Sequence, residues 1–295
     1  PIGDKNYFTK VGVLPNISAK YELNEKQNLR FGASKTYTLP QFKERAPFLY
    51  EEVGQSYIGN PFLYNSTDYN FDLKWEMFPK NGEVLSFTGF GKYILNPINE
   101  ATVASATNDI SWVNSGEKAI GLGGELEIRK NLFTRENTSE NKSANLSTGL
   151  NVSYLFTNQD LDSEKVLKET NNSISVFFTN DESRLTGASD LLINADMSFN
   201  KDFSKEQSLS ATLTGSYFSD RIYALGATGK GDLVDSDVIT IDFILKYKLS
   251  KNIGFSLSAR NLTDPTIQRK QDIQNVIVDS YKKGQNFSLS MKYSF

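Results

Sequence analysis

Two sets of residues in this chain could do chemistry. The first is aromatic: Phe48, Tyr50, Tyr57, Phe62 and Tyr64 crowd into the stretch between Leu39 and Thr67. Rings of this kind stack on flat or apolar ligands, and each tyrosine adds a hydroxyl. The same rings would also serve to pack that stretch against itself. The second set is charged. Arg30, Lys74, Glu76, Glu125, Glu127, Arg129, Asp196, Asp242, Lys246 and Arg260 stand at alternate positions among apolar residues, with both signs present. Such a wall suits contact with a polar partner domain and a path for solute, or simply a solvated lumen.

Much other chemistry is excluded. His is 0 and Cys is 0, which removes the usual general base, the commonest metal ligand and any thiolate. Asp160, Asp162 and Glu164 alternate, but they lack the glycine and closing glutamate of a calcium loop. They read as a solvated acidic stretch, so no metal centre and no cofactor are expected. No loop poses the carboxylate pair of a glycosidase, and no enzyme activity is expected. Net charge is -3, so there is no general basic footprint for nucleic acid.

The elements that must hold these residues are strands. A strand turns successive side chains to opposite faces. In Asp68 to Phe78, Tyr69, Phe71, Leu73, Trp75 and Met77 oppose Asn70, Asp72, Lys74 and Glu76. The same alternation predicts strands over Val11 to Leu23, Asn28 to Thr38, Glu83 to Leu95, Lys118 to Arg129 and Leu146 to Thr157. It continues over Asp190 to Asn200, Gln207 to Ser219, Asp237 to Leu249, Asn252 to Asp264 and Gly284 to Phe295. That makes about eleven strands, with helical patterns essentially absent. Mean hydropathy is -0.42, and no run approaches the roughly 20 apolar residues of a membrane helix. A membrane β-barrel remains open, because only alternate residues need face lipid.

The connections alternate in length. Short turns are expected at Asn24 to Gln27, Pro79 to Gly82, Lys201 to Glu206 and Ser250 to Lys251, with a middling polar turn at Lys130 to Asn145. Long loops fall at Leu39 to Thr67, Asn96 to Glu117, Asn158 to Ser189, Asp220 to Ser236 and Pro265 to Lys283. Outer-membrane barrels have short periplasmic turns and long external loops. Apolar-face Tyr37, Tyr69, Tyr154, Phe156 and Tyr217 would lie at the outer ends, and Trp75, Phe199, Tyr247, Tyr293 and Phe295 at the inner ends, as two interfacial girdles. An odd number of antiparallel strands does not close on itself, so the chain is expected to be the C-terminal part of a larger barrel. It begins at Pro1 with no signal peptide, as a processed protein or a piece of one would.

Three stretches carry a resemblance. They are Thr36 to Ile98, with Pro40, Gln41, Phe42 and then Gly59, Asn60, Pro61; Gly121 to Leu132; and Leu257 to Pro265, with Asn261 and Leu262, followed by the aromatic strand that ends at Phe295. In this order they resemble the C-terminal barrel half of TonB-dependent outer-membrane receptors. The resemblance implies an all-β fold: an antiparallel meander of about eleven strands forming part of a 22-strand transmembrane outer-membrane β-barrel, with residues 1–295 as one barrel domain. It implies a receptor and active transporter for a scarce nutrient: a siderophore-iron complex, vitamin, oligosaccharide or peptide. The implied partners are outer-membrane lipid, an N-terminal plug domain that this chain lacks, and the TonB-ExbB-ExbD complex acting through that plug. Phe48, Tyr50, Tyr57, Phe62 and Tyr64 would touch ligand, and Arg30, Lys74, Glu76, Glu125, Glu127, Arg129, Asp196 and Arg260 would face the plug. The competing expectation is a barrel without energy coupling: a porin, an adhesin or a secretion-associated structural barrel.

Overall fold

The structure is a computed structural model that describes residues 12–137 and 142–295. Taken in chain order, β1 (Asn16–Asn24) and β2 (Gln27–Thr38) form a tight hairpin. The loop after it holds helix α1 (Phe42–Arg45) and a small hairpin, β3 (Leu49–Glu52) and β4 (Gln55–Ile58). Then come β5 (Ser66–Met77) and β6 (Val84–Leu95), with β7 (Ile98–Thr102) and β8 (Ile110–Asn114) in the next loop. The longest pair is β9 (Lys118–Asn137) and β10 (Lys142–Asp160), followed by α2 (Ser163–Glu169) and β11 (Glu182–Ser183). The hairpin β12 (Leu191–Asp202) and β13 (Ser208–Phe218) leads to loop strands β14 (Arg221–Ala224) and β15 (Leu233–Asp235). The hairpin β16 (Val238–Lys248) and β17 (Ile253–Arg260) leads to β18 (Thr266–Gln271) and β19 (Val276–Lys282), and β20 (Asn286–Tyr293) is last.

One meander forms the wall, in the order β1-β2-β5-β6-β9-β10-β12-β13-β16-β17-β20, with β11 added to β10. Each wall strand coincides with one of the eleven alternating segments. Val11 lies outside the described residues, and the first strand starts at Asn16. Helix makes up 4% of the structure, far too little for any helical architecture.

Two features depart from expectation. Lys130 to Asn145 is no middling turn, because β9 and β10 run through it to Asn137 and from Lys142. A register shift hides this in the sequence: Leu146 pairs with Phe133 and Ser147 with Asn131, so Leu132 is an extra residue and the alternation breaks. The long loops also add strands beyond the eleven of the wall. They build two further four-stranded sheets, β3-β4-β8-β7 and β14-β15-β18-β19.

Register settles which side chains share a face. Phe31 pairs with Leu73, Trp75 with Phe87, and Phe87 with Leu126, while Arg30 pairs with Lys74 and Ser86 with Glu127 on the opposite face. The apolar face has no layer over it: Phe71, Leu73, Phe87, Leu122, Met197 and Leu289 are all exposed. An apolar surface this large is a surface for lipid or for another chain. The buried apolar core lies elsewhere, almost wholly in the loops. One cluster joins Ala101, Val103, Val113, Val166, Ile174, Val176, Ile222 and Leu225. A second joins Tyr57, Leu63, Ile110, Trp112, Ala224 and Leu233. The wall thus carries a loop layer with a water-type core at one end.

Candidate functional site

The aromatic stretch is part of this loop layer. β3 and β4 place Tyr50 opposite Tyr57, and β4 pairs in parallel with β8, which brings Trp112 alongside. The three rings stack: Tyr50 on Tyr57 at 5.3 Å, and Tyr57 on Trp112 at 5.7 Å. Such pairs add about 0.5–1.5 kcal/mol beyond the area they bury. Tyr57 is 6% exposed, and its hydroxyl bonds the hydroxyl of Tyr223 from β14. Burial, first of all, pushes the phenols of Tyr50, Tyr57 and Tyr223 above their ordinary value, so they stay protonated at any physiological pH. The Tyr64 hydroxyl donates to Glu169 of α2 at 3.0 Å. Phe48 and Phe62 are exposed, at 53% and 38%.

The Gly59-Asn60-Pro61 run has a local reason. A Cβ on Gly59 would lie 1.9 Å from the Ala46 carbonyl oxygen, so only glycine lets these segments touch. Asn60 is buried; its amide donates to the Trp112 carbonyl at 2.8 Å, and its side-chain oxygen accepts from the Phe62 N–H at 3.0 Å. Asn60→Ala would strand both groups at about 1–3 kcal/mol each. We expect that variant to show faster amide exchange at Phe62 and across β8, with the wall strands unchanged.

Cations sit against these rings. The Arg269 guanidinium carbon is 3.2 Å from the Tyr223 ring centroid, and its Nε donates to Asp235 at 2.7 Å. Arg221 reaches the same carboxylate at 3.2 Å, and the Lys43 amine is 5.7 Å from the Trp112 ring centroid. Two cavities open beside them. One, about 370 Å³, is lined by Leu39, Glu44, Glu100, Trp112, Arg221 and Tyr223 among others. The other, about 280 Å³, is lined by Phe218, Arg221, Asp235, Arg269 and Tyr281 among others. Arg221 borders both. Thr38 and Phe218, which line one cavity each, occupy positions on the polar face of β2 and β13. The cavities therefore open toward the lumen side of the loop layer.

Glu100 faces the first cavity, and burial raises its carboxyl pKa while Lys43 opposes the shift. A carboxyl raised in the fold costs stability above its folded pKa, and the cost vanishes below its unfolded value. We expect Glu100→Gln to leave the loop layer at least as stable at pH 7, and the difference from wild type to shrink as pH falls. Loop-layer protease resistance across a pH series reads this out.

The charged residues of the wall share the polar face. Arg30 Nε donates to Glu76 at 2.7 Å, Lys74 lies 3.9 Å from Glu76 and 4.0 Å from Glu127, and Arg129 pairs with Glu127 at 3.1 Å. Five of them thus form one chain of ion pairs across β2, β5 and β9. Glu125 continues the face beside Thr88 and Ser153. The Asp196 carboxylate lies over Gly149, where a Cβ would meet it at 2.2 Å. Asp242 accepts from the Asn261 N–H at 2.7 Å, and the Asn261 amide donates to the Gly284 carbonyl at 2.8 Å. The Asn261-Leu262 pair thus turns the chain out of β17. Lys246 and Arg260 stand exposed on the polar face, without ion pairs among the described residues.

Sequence reasoning did not find Trp112, Glu100, Arg221, Tyr223 or Arg269, because they come from three separate loops and share no local pattern. The Asp160, Asp162, Glu164 run resolves as capping: Asp162 accepts from the Lys165 N–H at 2.9 Å and starts α2. Among the described residues no group of acidic side chains could hold a metal.

An uncovered apolar face, a polar inner face and loops on one end define an outer-membrane β-barrel wall. The chain belongs to the TonB-dependent receptor-like β-barrel family, whose model matches residues 3–262, and its place is the bacterial outer membrane. No curated protein matches it significantly. Its fold is similar to that of a mutant ferric enterobactin receptor, PfeA, from Pseudomonas aeruginosa in complex with enterobactin (20% identity, TM-score 0.59, 96% of this chain and 40% of that one). It is also similar to the siderophore receptor PirA from Acinetobacter baumannii (17% identity, TM-score 0.59, 96% and 41%). The ferric yersiniabactin uptake receptor FyuA from Yersinia pestis compares at 14% identity and TM-score 0.54, over 95% and 35%. The chain thus spans about two fifths of the first two of these receptors.

Proposed function

We propose that this chain is the C-terminal portion of a 22-strand receptor barrel, with residues 1–295 as one barrel domain. That receptor captures a scarce nutrient at the outer mouth and imports it with energy from the TonB-ExbB-ExbD complex, acting through a plug. The observation that carries the reading is the pair of cavities on the lumen side of the loop layer, joined at Arg221 and bordered by Trp112, Tyr223 and Arg269. Cations over aromatic rings suit a flat, electron-rich, anionic ligand. A ferric catecholate siderophore has that character, and the compared enterobactin receptor supports the choice. The ion-paired lumen face would meet the plug.

Arg221→Ala and Arg269→Ala, each in the complete receptor, should weaken ferric enterobactin binding by about 1–2 kcal/mol. Barrel heat stability should not change. Unchanged affinity in both variants would leave the loop layer as a structural cap. Energy coupling has its own test. Collapse of the inner-membrane proton gradient should abolish uptake and spare binding, and uptake that persists would point to a passive barrel. An epitope inserted at the exposed β3–β4 turn beside Val53, in the loop from Leu39 to Thr67, should be reached by antibody on whole cells; access only from the periplasmic side would invert the topology.

A further inference from the structure

We propose that the outer wall carries a binding site for an anionic phospholipid of the periplasmic leaflet, built on Arg135, Lys142 and Lys201. The site lies at the short-turn end of β9, β10 and β12, where β9 and β10 run past the expected turn. Register puts the residues on the lipid face. Arg135 pairs with Ala144, and Ala144 with Lys201, two residues further along from the Phe133, Leu146 and Phe199 row. Leu146 belongs to the face of Leu150 and Val152, which pair with Ala195 and Ile193.

Charge is sorted by face here. Glu136 and Asp202 both pair with Ser143 on the opposite, lumenal face, where Ser143 donates to Asp202 at 2.5 Å. On the lipid face of these three strands every charged residue at this end is basic: Lys130, Arg135, Lys142 and Lys201. Arg135, Lys142 and Lys201 line one groove of about 460 Å³, together with Phe203, whose ring centroid is 4.7 Å from the Lys201 amine; Ser143 and Asp202, bonded to each other, border the same groove, which leaves its basic side chains in excess. Directly above, Phe133 and Phe199 pack with centroids 6.5 Å apart. A phosphodiester in the groove would meet two or three cations, and its acyl chains would run up the apolar face past the two phenylalanines. Free anions lack the second half of that match, so the geometry points to a lipid.

The test uses the complete receptor in mild detergent, titrated with dioctanoyl phosphatidylglycerol and read by native mass spectrometry. Wild type should retain this lipid in preference to dioctanoyl phosphatidylcholine. The double variant Arg135→Gln/Lys201→Gln should lose about twenty-fold in affinity, while Lys251→Gln, at a neighbouring short turn, should match wild type. Heat-modifiable gel mobility reports folding. If the double variant does not fold, Lys201→Gln alone should show about a fivefold loss. Equal retention of both lipids, or no effect of the substitutions, would overturn the site. Displacement of the lipid by an equal concentration of inorganic phosphate would make it an anion site and overturn the lipid assignment.

Discussion

Leu213→Arg in the complete receptor is expected to cripple barrel assembly, and its sequence neighbour Thr212→Arg to be tolerated. Leu213 is the central residue of β13, 48% exposed, between Met197 and Phe243 on the apolar face. A cation near the midplane of the lipid face costs about 2–4 kcal/mol, a large share of a typical domain's stability. Thr212 points the other way, its hydroxyl 3.0 Å from that of Ser198. An arginine there stays off the lipid face, among polar side chains, and should cost far less than Leu213→Arg. Folding into lipid vesicles across a urea series, followed by heat-modifiable gel mobility, separates the two. Equal effects would reverse the faces or remove the membrane.

Tyr57→Ala should be the most damaging single change in the loop layer. The ring is the middle of the Tyr50–Tyr57–Trp112 stack and belongs to the second buried cluster. Removing a buried aromatic of this size costs about 3–5 kcal/mol, and the Tyr223 hydroxyl loses its partner. Tyr57→Phe keeps the stack and should cost only about 1 kcal/mol. Hydrogen exchange should rise steeply across β3, β4 and β8 in the alanine variant, with the wall strands unchanged. Protection of β8 at the wild-type level would remove this ring from the core. Because the ring is covered, any drop in ligand affinity on Tyr57→Ala reports lost order, whereas Arg269→Ala, in the lining of a cavity, reports contact more directly.

The wall was legible because lipid on one side and water on the other impose a period of two on every strand. Where that period broke, legibility gave out too. Past Lys130 the strand carries an extra residue, Leu132, and mostly polar side chains, so a strand looked like a turn. The candidate site was only half visible. Tyr50 and Tyr57 stood out by their crowding, but their stacking partner Trp112 arrives through the parallel pairing of β4 with β8. Pairing between distant segments leaves no periodic mark. The ion pairs of Arg30 and Glu76 were visible as a shared face but not as contacts, since register fixes which charges meet.

The placement of the apolar core in the loops bears on the order of assembly. Wall hairpins such as β1–β2 and β16–β17 close over a few residues. The cap joins segments far apart in the chain, as in the Tyr57–Tyr223 bond across 166 positions and the bridge between Ala101 and Leu225. Closing such long segments early is entropically costly and slow. The wall removes that cost by fixing every loop base at one rim. The cap should therefore be the last part of the molecule to mature, and its protease resistance should mark a barrel whose strands are already in register.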